Sequence, residues 1–167
     1  KGGTSSIFGE AIMWLKNSGI VNQVYKTTAE LPLEMHKDLS SFKLYMSDVG
    51  LFVNKARYPL YQVDLSQQPV MIAMGPLTEN YVANELRVKG YDLYYWESDG
   101  KAELDFMIQK ETDIVPIEVK TSVHTKARSL DLYMKTYSPN YAVRISEKNF
   151  GFENNIKSVP LYAVFCM

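Results

Sequence analysis

Two carboxylates and a lysine lie on a short stretch whose residue types could bind a metal ion. Residues 103–120 read E-L-D-F-M-I-Q-K-E-T-D-I-V-P-I-E-V-K, which is two apolar runs separated by a polar turn. If the runs pair as a hairpin, Asp105, Glu118 and Lys120 lie near one another. Mg²⁺ takes oxygen ligands, often one or two carboxylates completed by waters and substrate phosphates. An ammonium beside it can hold a water and neutralise charge on a phosphate. The stretch therefore predicts a Mg²⁺ or Mn²⁺ site.

Alternation within the two runs predicts two strands, over 103–109 and 114–120. Successive side chains of a strand point to opposite faces. In the first strand, Leu104, Phe106 and Ile108 share one face, and Glu103 and Asp105 share the other. In the second, the apolar residues share one face and the charged residues the other. The same pattern also fits a solvated hairpin with charged outer positions.

A third carboxylate, Glu79, lies on a helix predicted over 76–89. Pro76 suits the first turn of a helix, and Gly90 suits the position just past its end. Glu79 shares one face with the apolar residues three, four and seven positions further on. Because a carboxylate is almost never buried without a partner, Glu79 requires a lysine, an arginine or a metal ion nearby.

The order of these elements resembles the core of the PD-(D/E)xK nuclease-like superfamily. More narrowly, the chain resembles the C-terminal domain of unknown function that follows the ATPase domain in many prokaryotic AAA-type ATPases. That resemblance implies an α/β fold, in which a mixed sheet is flanked by helices. It also implies that Asp105 and Glu118 are metal ligands, that Glu79 is a further ligand or orienting group, and that Lys120 is the catalytic lysine. The phrases that carry it are F-K-L-Y-M-S-D-V-G-L-F (42–52), E-N-Y-V-A-N-E-L (79–86), E-L-D-F-M-I (103–108), I-E-V-K-T (117–121) and K-A-R-S-L (126–130).

The charge of the chain limits how it can bind nucleic acid. The 167 residues have a formal net charge of −1, so attraction to nucleic acid requires a local basic patch. Lys126 and Arg128 follow the predicted metal site in sequence, and with Lys120 and Lys135 they form the best basic cluster. The hydroxyl of Thr121 is a further candidate contact to a phosphate. The alternative is that these side chains solvate or cap the start of the next helix.

Three segments are predicted along the chain. Residues 1–53 are expected to form a partial winged-helix-like segment, with a helix over 7–18 and strands over 21–25 and 42–46. Its helix carries one basic residue, Lys16, so structural packing is an alternative to DNA reading. Residues 54–74 are expected to be a linker, and 75–167 the nuclease-like domain. The resemblance implies that an N-terminal ATPase domain precedes this fragment, and the chain itself shows no phosphate-binding G-x-x-x-x-G-K-[ST] loop.

Composition places the chain among ordinary globular proteins, with 46% hydrophobic and 22% charged residues. The lone cysteine, Cys166, and the lack of a signal-like or membrane-spanning run predict a cytoplasmic protein without a membrane partner. The expected function is metal-dependent hydrolysis of phosphodiester bonds, in DNA rather than RNA. The alternatives are a non-catalytic DNA- or protein-binding module that regulates the attached ATPase, and a structural ion network. A second copy of the chain is a further candidate partner.

Overall fold

Eight strands form one mixed sheet in the computed structural model, which describes residues 5–57, 68–98, 100, 102–121 and 128–167. The strand order is β2-β1-β3-β4-β5-β6-β8-β7. The sheet is flanked by helices, as the α/β prediction required. In chain order the elements are α1 (Ser5–Asn17), β1 (Val21–Thr27), β2 (Lys37–Met46), α2 (Val49–Ala56), α3 (Gln68–Val88), β3 (Tyr94–Ser98), β4 (Ala102–Lys110), β5 (Asp113–Val119), α4 (Arg128–Tyr137), β6 (Ala142–Ser146), β7 (Gly151–Glu153) and β8 (Ile156–Pro160), with short 3-10 helices at Leu33–His36 and Leu161–Cys166.

The predicted hairpin is present at the centre of the sheet. β4 and β5 pair antiparallel, from Lys110 opposite Asp113 to Phe106 opposite Ile117. β5 then pairs parallel with β6, and β6 pairs parallel with β8. Parallel neighbours need a crossover between them, and α4 lies on the crossover from β5 to β6. Because β5, β6 and β8 run parallel, their carboxyl ends lie at the same edge of the sheet.

Two apolar clusters cover the two faces of the sheet. On one face, α3 and the C-terminal 3-10 helix pack against the odd-numbered residues of β5 and β6, such as Ile117 and Val143. On the other face, α4 packs through Leu130 and Tyr133. Because side chains alternate along a strand, the even-numbered residues at the end of β5 and in the middle of β6 point to the α4 face.

Helix α3 confirms the predicted stripe but begins earlier than predicted. Val82, Ala83 and Leu86 are completely buried against the sheet. The prediction that Pro76 starts the helix was wrong, because α3 begins at Gln68 and Pro76 lies inside it. A proline removes one intrahelical hydrogen bond, and here the helix continues through that gap.

A β-bulge corrects the predicted faces of β4. Tyr94 pairs with Met107 and Trp96 pairs with Leu104, so one residue of β3 faces two residues of β4. As a result Leu104 packs in the α4-side cluster, whereas Phe106 packs in the α3-side cluster. The prediction that these two side chains share a face was therefore wrong. Bulges change the direction of side chains and often occur beside functional sites, and the two residues that bulge are Asp105 and Phe106.

The N-terminal strands join the main sheet. The strands predicted over 21–25 and 42–46 are confirmed and are longer, and β1 pairs parallel with β3. The hairpin expected as a wing is thus continuous with the strands of the later segment. Residues 58–67 of the expected linker lie outside the described residues, and α2 and α3 occupy parts of its two ends. The division at 54–74 remains a prediction.

Candidate metal and phosphodiester site

Asp105 lies where β4 and β5 stop pairing through their backbones. The last backbone pair is Phe106 with Ile117, and one residue further on the Oδ2 atom of Asp105 accepts the backbone N–H of Val119 at 2.7 Å. The side chain thus takes the place of a backbone carbonyl in the ladder. Continuing the register by one residue places Asp105 opposite Glu118. The sequence-based expectation that these two carboxylates lie near each other agrees with this arrangement.

Glu118 is buried and only partly satisfied. Its side chain is 2% exposed, and Oε1 forms an ion pair with the Nζ atom of Lys120. The other oxygen, Oε2, has no hydrogen-bond partner among the described residues. Burial raises the pKa of Glu118, although Lys120 and Arg144 oppose the rise. Since an unsatisfied buried oxygen is rare and costly, this atom marks a position for a cation or a donor.

Asp105 has the most strongly altered pKa of the predicted acids. Burial and the charges of Glu118 and Glu79 raise the pKa of Asp105 to about 7, against the opposing effects of the Val119 N–H and Lys43. Like charges brought together in a partly dry site disfavour ionisation. Carboxyls with raised pKa values in a cleft are candidates for function. Asp105 therefore carries both geometric and electrostatic marks of a site residue.

Glu79 is held by two residues of β2. Its Oε1 atom accepts a hydrogen bond from the Nζ atom of Lys43 at 3.2 Å and another from the Tyr45 hydroxyl. Lys43 also forms an ion pair with Glu103. Burial lowers the pKa of Lys43, but the charges of Glu79 and Glu103 outweigh it and the net shift is upward. The cation that Glu79 required is thus a lysine.

The pKa of Tyr45 is raised well above its ordinary value. Burial is the largest cause, followed by the charge of Glu79 and the hydrogen bond to it. The hydroxyl therefore stays protonated and remains a hydrogen-bond donor to Glu79. Sequence reasoning missed Lys43 and Tyr45. The available signal was their i, i+2 spacing on a predicted strand, which puts both on one face.

Arg144 is a further residue that the sequence analysis did not assign. It lies on β6 in register with Glu118, on the α4 face of the sheet. Its Nε atom is buried and makes no hydrogen bond within the described ranges. An unsatisfied acceptor, Oε2 of Glu118, and an unsatisfied donor, Nε of Arg144, therefore lie on neighbouring strands.

The structure brings together some of the predicted residues and leaves others apart. Asp105, Glu118 and Lys120 meet at the end of the hairpin, and Glu79 influences Asp105 through its charge. Thr121 follows directly and is partly buried, whereas Arg128 is exposed at the start of α4, and Lys126 lies outside the described residues.

No group of three or more His, Cys, Asp and Glu side chains in the described part of the chain is arranged to hold a metal ion. A metal here would thus rest on two carboxylates. Small hard cations use few protein carboxylates and fill the remaining positions with water and substrate phosphates. The Asp105–Glu118 pair, with its unsatisfied oxygen, is compatible with that kind of ligand set. The role of Glu79 as a further ligand remains a prediction.

Comparison with known proteins gives a family without an assigned activity. Residues 74–164 match the model of a domain of unknown function (DUF4143). No curated protein and no solved structure matches the chain. In the described residues, no helix is both long enough and apolar enough to cross a membrane. The matched range contains all four predicted acidic and basic site residues, from Glu79 to Lys120.

Proposed function

We propose that this chain, which belongs to the DUF4143 family, hydrolyses phosphodiester bonds in nucleic acid with a bound Mg²⁺ or Mn²⁺ ion. The observation that carries the proposal is the carboxylate pair at the end of the central hairpin. Asp105 has a raised pKa, and Glu118 keeps one buried oxygen without a partner. A divalent cation between them would remove the repulsion and satisfy that oxygen.

The order of elements supports a PD-(D/E)xK nuclease-like core for residues 75–167. A helix with Glu79 precedes an antiparallel strand pair with Asp105 and Glu118, and a helix and a parallel strand follow. This is the order expected from the resemblance noted above. The residue types at all four positions also agree with it. Fold alone does not determine activity, so the proposal depends on the chemistry of the site.

Each side chain has a definite part in the proposed reaction. A divalent ion, when bound, would polarise the phosphate and lower the pKa of a water. Lys120, which is partly exposed, would orient the attacking water and stabilise the negative charge that grows on the phosphate. Asp105 and Glu118 would hold the ion, and Glu79 would keep Lys43 beside them. Water adds to phosphorus, one P–O ester bond breaks, and the products are a phosphate monoester and an alcohol.

Calorimetric titration of Mn²⁺ and Mg²⁺ into the chain tests the metal site directly. We expect the wild type to bind and the Asp105→Asn, Glu118→Gln variant to lose binding. The matched control is Glu111→Gln, Glu147→Gln, which removes two carboxylates from exposed positions. At a metal concentration of 100 times Kd, binding would stabilise the fold by about 2.7 kcal/mol. Equal metal binding by the two double variants would refute the assignment of Asp105 and Glu118 as metal ligands.

Cleavage is the second readout. Single-stranded, double-stranded and branched substrates of DNA and of RNA would be incubated with the wild type and with Asp105→Asn in Mn²⁺. We expect DNA to be cut by the wild type and to remain intact with the variant. Retained cleavage by the variant would contradict the assignment of Asp105. Within the same proposal, Thr121, Lys126 and Arg128 are nucleic-acid contacts.

A second candidate function follows from helix α1. This helix exposes large apolar side chains, and Trp14 is 74% exposed. Exposed apolar surface of this kind is typical of a site for another protein. We therefore also propose, as the alternative, a non-catalytic binding module that regulates an attached ATPase. In that case, Asp105→Asn and Glu118→Gln would leave partner binding and ATPase output unchanged, whereas Trp14→Ser would weaken both.

A further inference from the structure

A cleft opens beside the carboxylate pair, on the α4 face of the sheet. Its volume is about 790 Å³, and it lies between α4, β6 and the β7–β8 hairpin. Arg144, Ser158 and Gly151 lie in register on the three strands that form its floor. The same cross-strand row continues to Glu118 on β5. The residues on the floor of the cleft and the carboxylate Glu118 therefore belong to one continuous cross-strand row.

The spacing of the strands gives the approximate distance between the cleft and Glu118. Neighbouring strands are about 4.8 Å apart, so Ser158 lies roughly 10 Å from Glu118 across the sheet. Arg144 lies between them. A ligand that reaches the carboxylate pair from this side must therefore pass Arg144. In the described sheet no other strand lies between the two, because β5, β6 and β8 are hydrogen-bonded neighbours.

The cleft has a small excess of positive charge, whereas the chain as a whole has a small excess of negative charge. Its charged lining residues comprise three cations and two carboxylates, against a net charge of −1 for the whole chain. Two of the cations, Lys135 and Lys148, are exposed at the mouth, and the third, Arg144, lies deeper with its Nε atom unsatisfied. A guanidinium with unused donors matches the geometry of a phosphate. The lining residues that matter here are Asp131, Lys135, Arg144, Lys148, Glu153 and Ser158.

We infer that this cleft binds the phosphodiester backbone of the strand to be cut, on one side of the scissile bond. This inference rests on the proposed function and adds to it the path of the substrate. Arg144 contacts the phosphate nearest the carboxylate pair, and Lys135 and Lys148 contact phosphates further along. Arg144 is thus a substrate-binding residue between the cleft and the metal ligands. The two carboxylates, Asp131 and Glu153, limit the affinity of the cleft.

Fluorescence anisotropy with labelled oligo(dT) and with a duplex of equal length tests the cleft in EDTA, where no cleavage occurs. The test variant is Lys135→Ala, Lys148→Ala. Each lost phosphate contact reduces the slope of log K against log salt by about 0.7 on a single strand, so the double variant should lower it by about 1.4. At 0.1 M salt this corresponds to a loss of about 25-fold in affinity.

The matched control is Lys55→Ala, Lys110→Ala, which removes two exposed lysines away from the cleft and changes the net charge equally. Lys110 is at the other end of β4, about 17 Å from Asp105 along the strand. We expect this variant to bind nearly as the wild type does. Glu153→Gln should instead tighten binding a few-fold, because it removes a repulsive charge.

The outcomes separate this inference from the metal-dependent activity. The proposal that the cleft binds the phosphodiester backbone would be overturned by a cleft variant that binds both probes as the control does. It would also be overturned by a wild type that binds neither probe. Loss of binding only in the cleft variant would support it. The Mn²⁺ titration is independent, since Lys135 and Lys148 are not metal ligands and their variant should bind Mn²⁺ normally. Arg144→Gln should lose strand binding, and Arg144→Lys should recover part of it.

Discussion

Asp105→Asn tests the charges of the site while preserving its backbone contact. Asparagine has nearly the same size, and its amide oxygen can still accept the N–H of Val119, which lies 2.7 Å from Asp105. The substitution removes the carboxyl whose pKa is raised to about 7 by burial, Glu118 and Glu79. We expect the variant to fold as the wild type does and to differ in the pH dependence of its stability.

The direction in which stability changes with pH depends on whether the folded or the unfolded state binds the proton of Asp105 more tightly. Because the folded-state pKa of Asp105 is raised, its contribution to stability is fully present below its unfolded pKa of about 3.9 and is lost as the pH rises to about 7. At about 1.4 kcal/mol per pKa unit, the loss is at most about 4 kcal/mol. Glu118 titrates together with Asp105 and shares this loss. Two pH units separate pH 5 from pH 7, so over that range we expect the metal-free wild type to lose up to about 3 kcal/mol and Asp105→Asn to lose much less.

Urea unfolding in EDTA, between about pH 5 and pH 8, measures this difference. Trp96 is a suitable probe, since it is buried and packs edge-on against Tyr133. Glu111→Gln is the matched control, because it removes an exposed carboxylate at the far end of the hairpin and should keep the wild-type profile. If the stability of Asp105→Asn falls with pH in parallel with the wild type, the carboxylate repulsion inferred for this site is wrong.

Three further substitutions test individual contacts by the free energy of unfolding. Lys120→Met should cost about 3 kcal/mol at pH 8 and less at pH 5, since it leaves buried Glu118 without its ion pair and protonation then relieves the charge; a pH-independent loss would refute the pairing. Tyr45→Phe should cost about 2 kcal/mol, because the charged acceptor Glu79 loses one of its two donors. An unchanged urea midpoint would argue against that hydrogen bond. Asp48→Ala should cost about 1 kcal/mol, because Asp48 caps α2 by accepting the Leu51 N–H at 2.6 Å; Asp48→Asn should recover most of that loss.

The sequence predicts well the elements in which local patterns and burial agree. The strands over 103–109 and 114–120 and the apolar stripe of α3 are all present. In β5 and α3 the apolar residues repeat with the period of the element, and they pack on the face that the repeat indicates. The α4 helix is also confirmed, with Leu130 and Tyr133 buried.

The sequence predicts poorly the features that depend on how one element pairs with another. The bulge that separates Leu104 from Phe106 arises from how β4 pairs with β3, and a strict alternation gives no sign of it. The partner of Glu79 is 36 residues away on β2. The edge hairpin β7–β8 was also missed, since Gly151–Glu153 is short and fully exposed and gives no apolar period. Only the Glu79–Lys43 contact joins residues far apart in the chain, whereas the bulge and the β7–β8 hairpin depend on how strands adjacent in the chain pair.

A balance of charges distinguishes a metal site from a structural ion network. Among the described residues, four carboxylates, Glu79, Glu103, Asp105 and Glu118, share three cations, Lys43, Lys120 and Arg144. A network that served stability alone would gain by having as many cations as carboxylates, because an unbalanced buried charge is costly. Here the negative excess falls on Asp105, whose pKa is raised, and beside it an oxygen of Glu118 lacks a partner within the described residues. A divalent cation at that point would change the net charge of the cluster from negative to positive. An anionic phosphate arriving from the cleft past Arg144 would then return the net charge to zero. Metal and substrate should therefore bind more tightly together than either does alone.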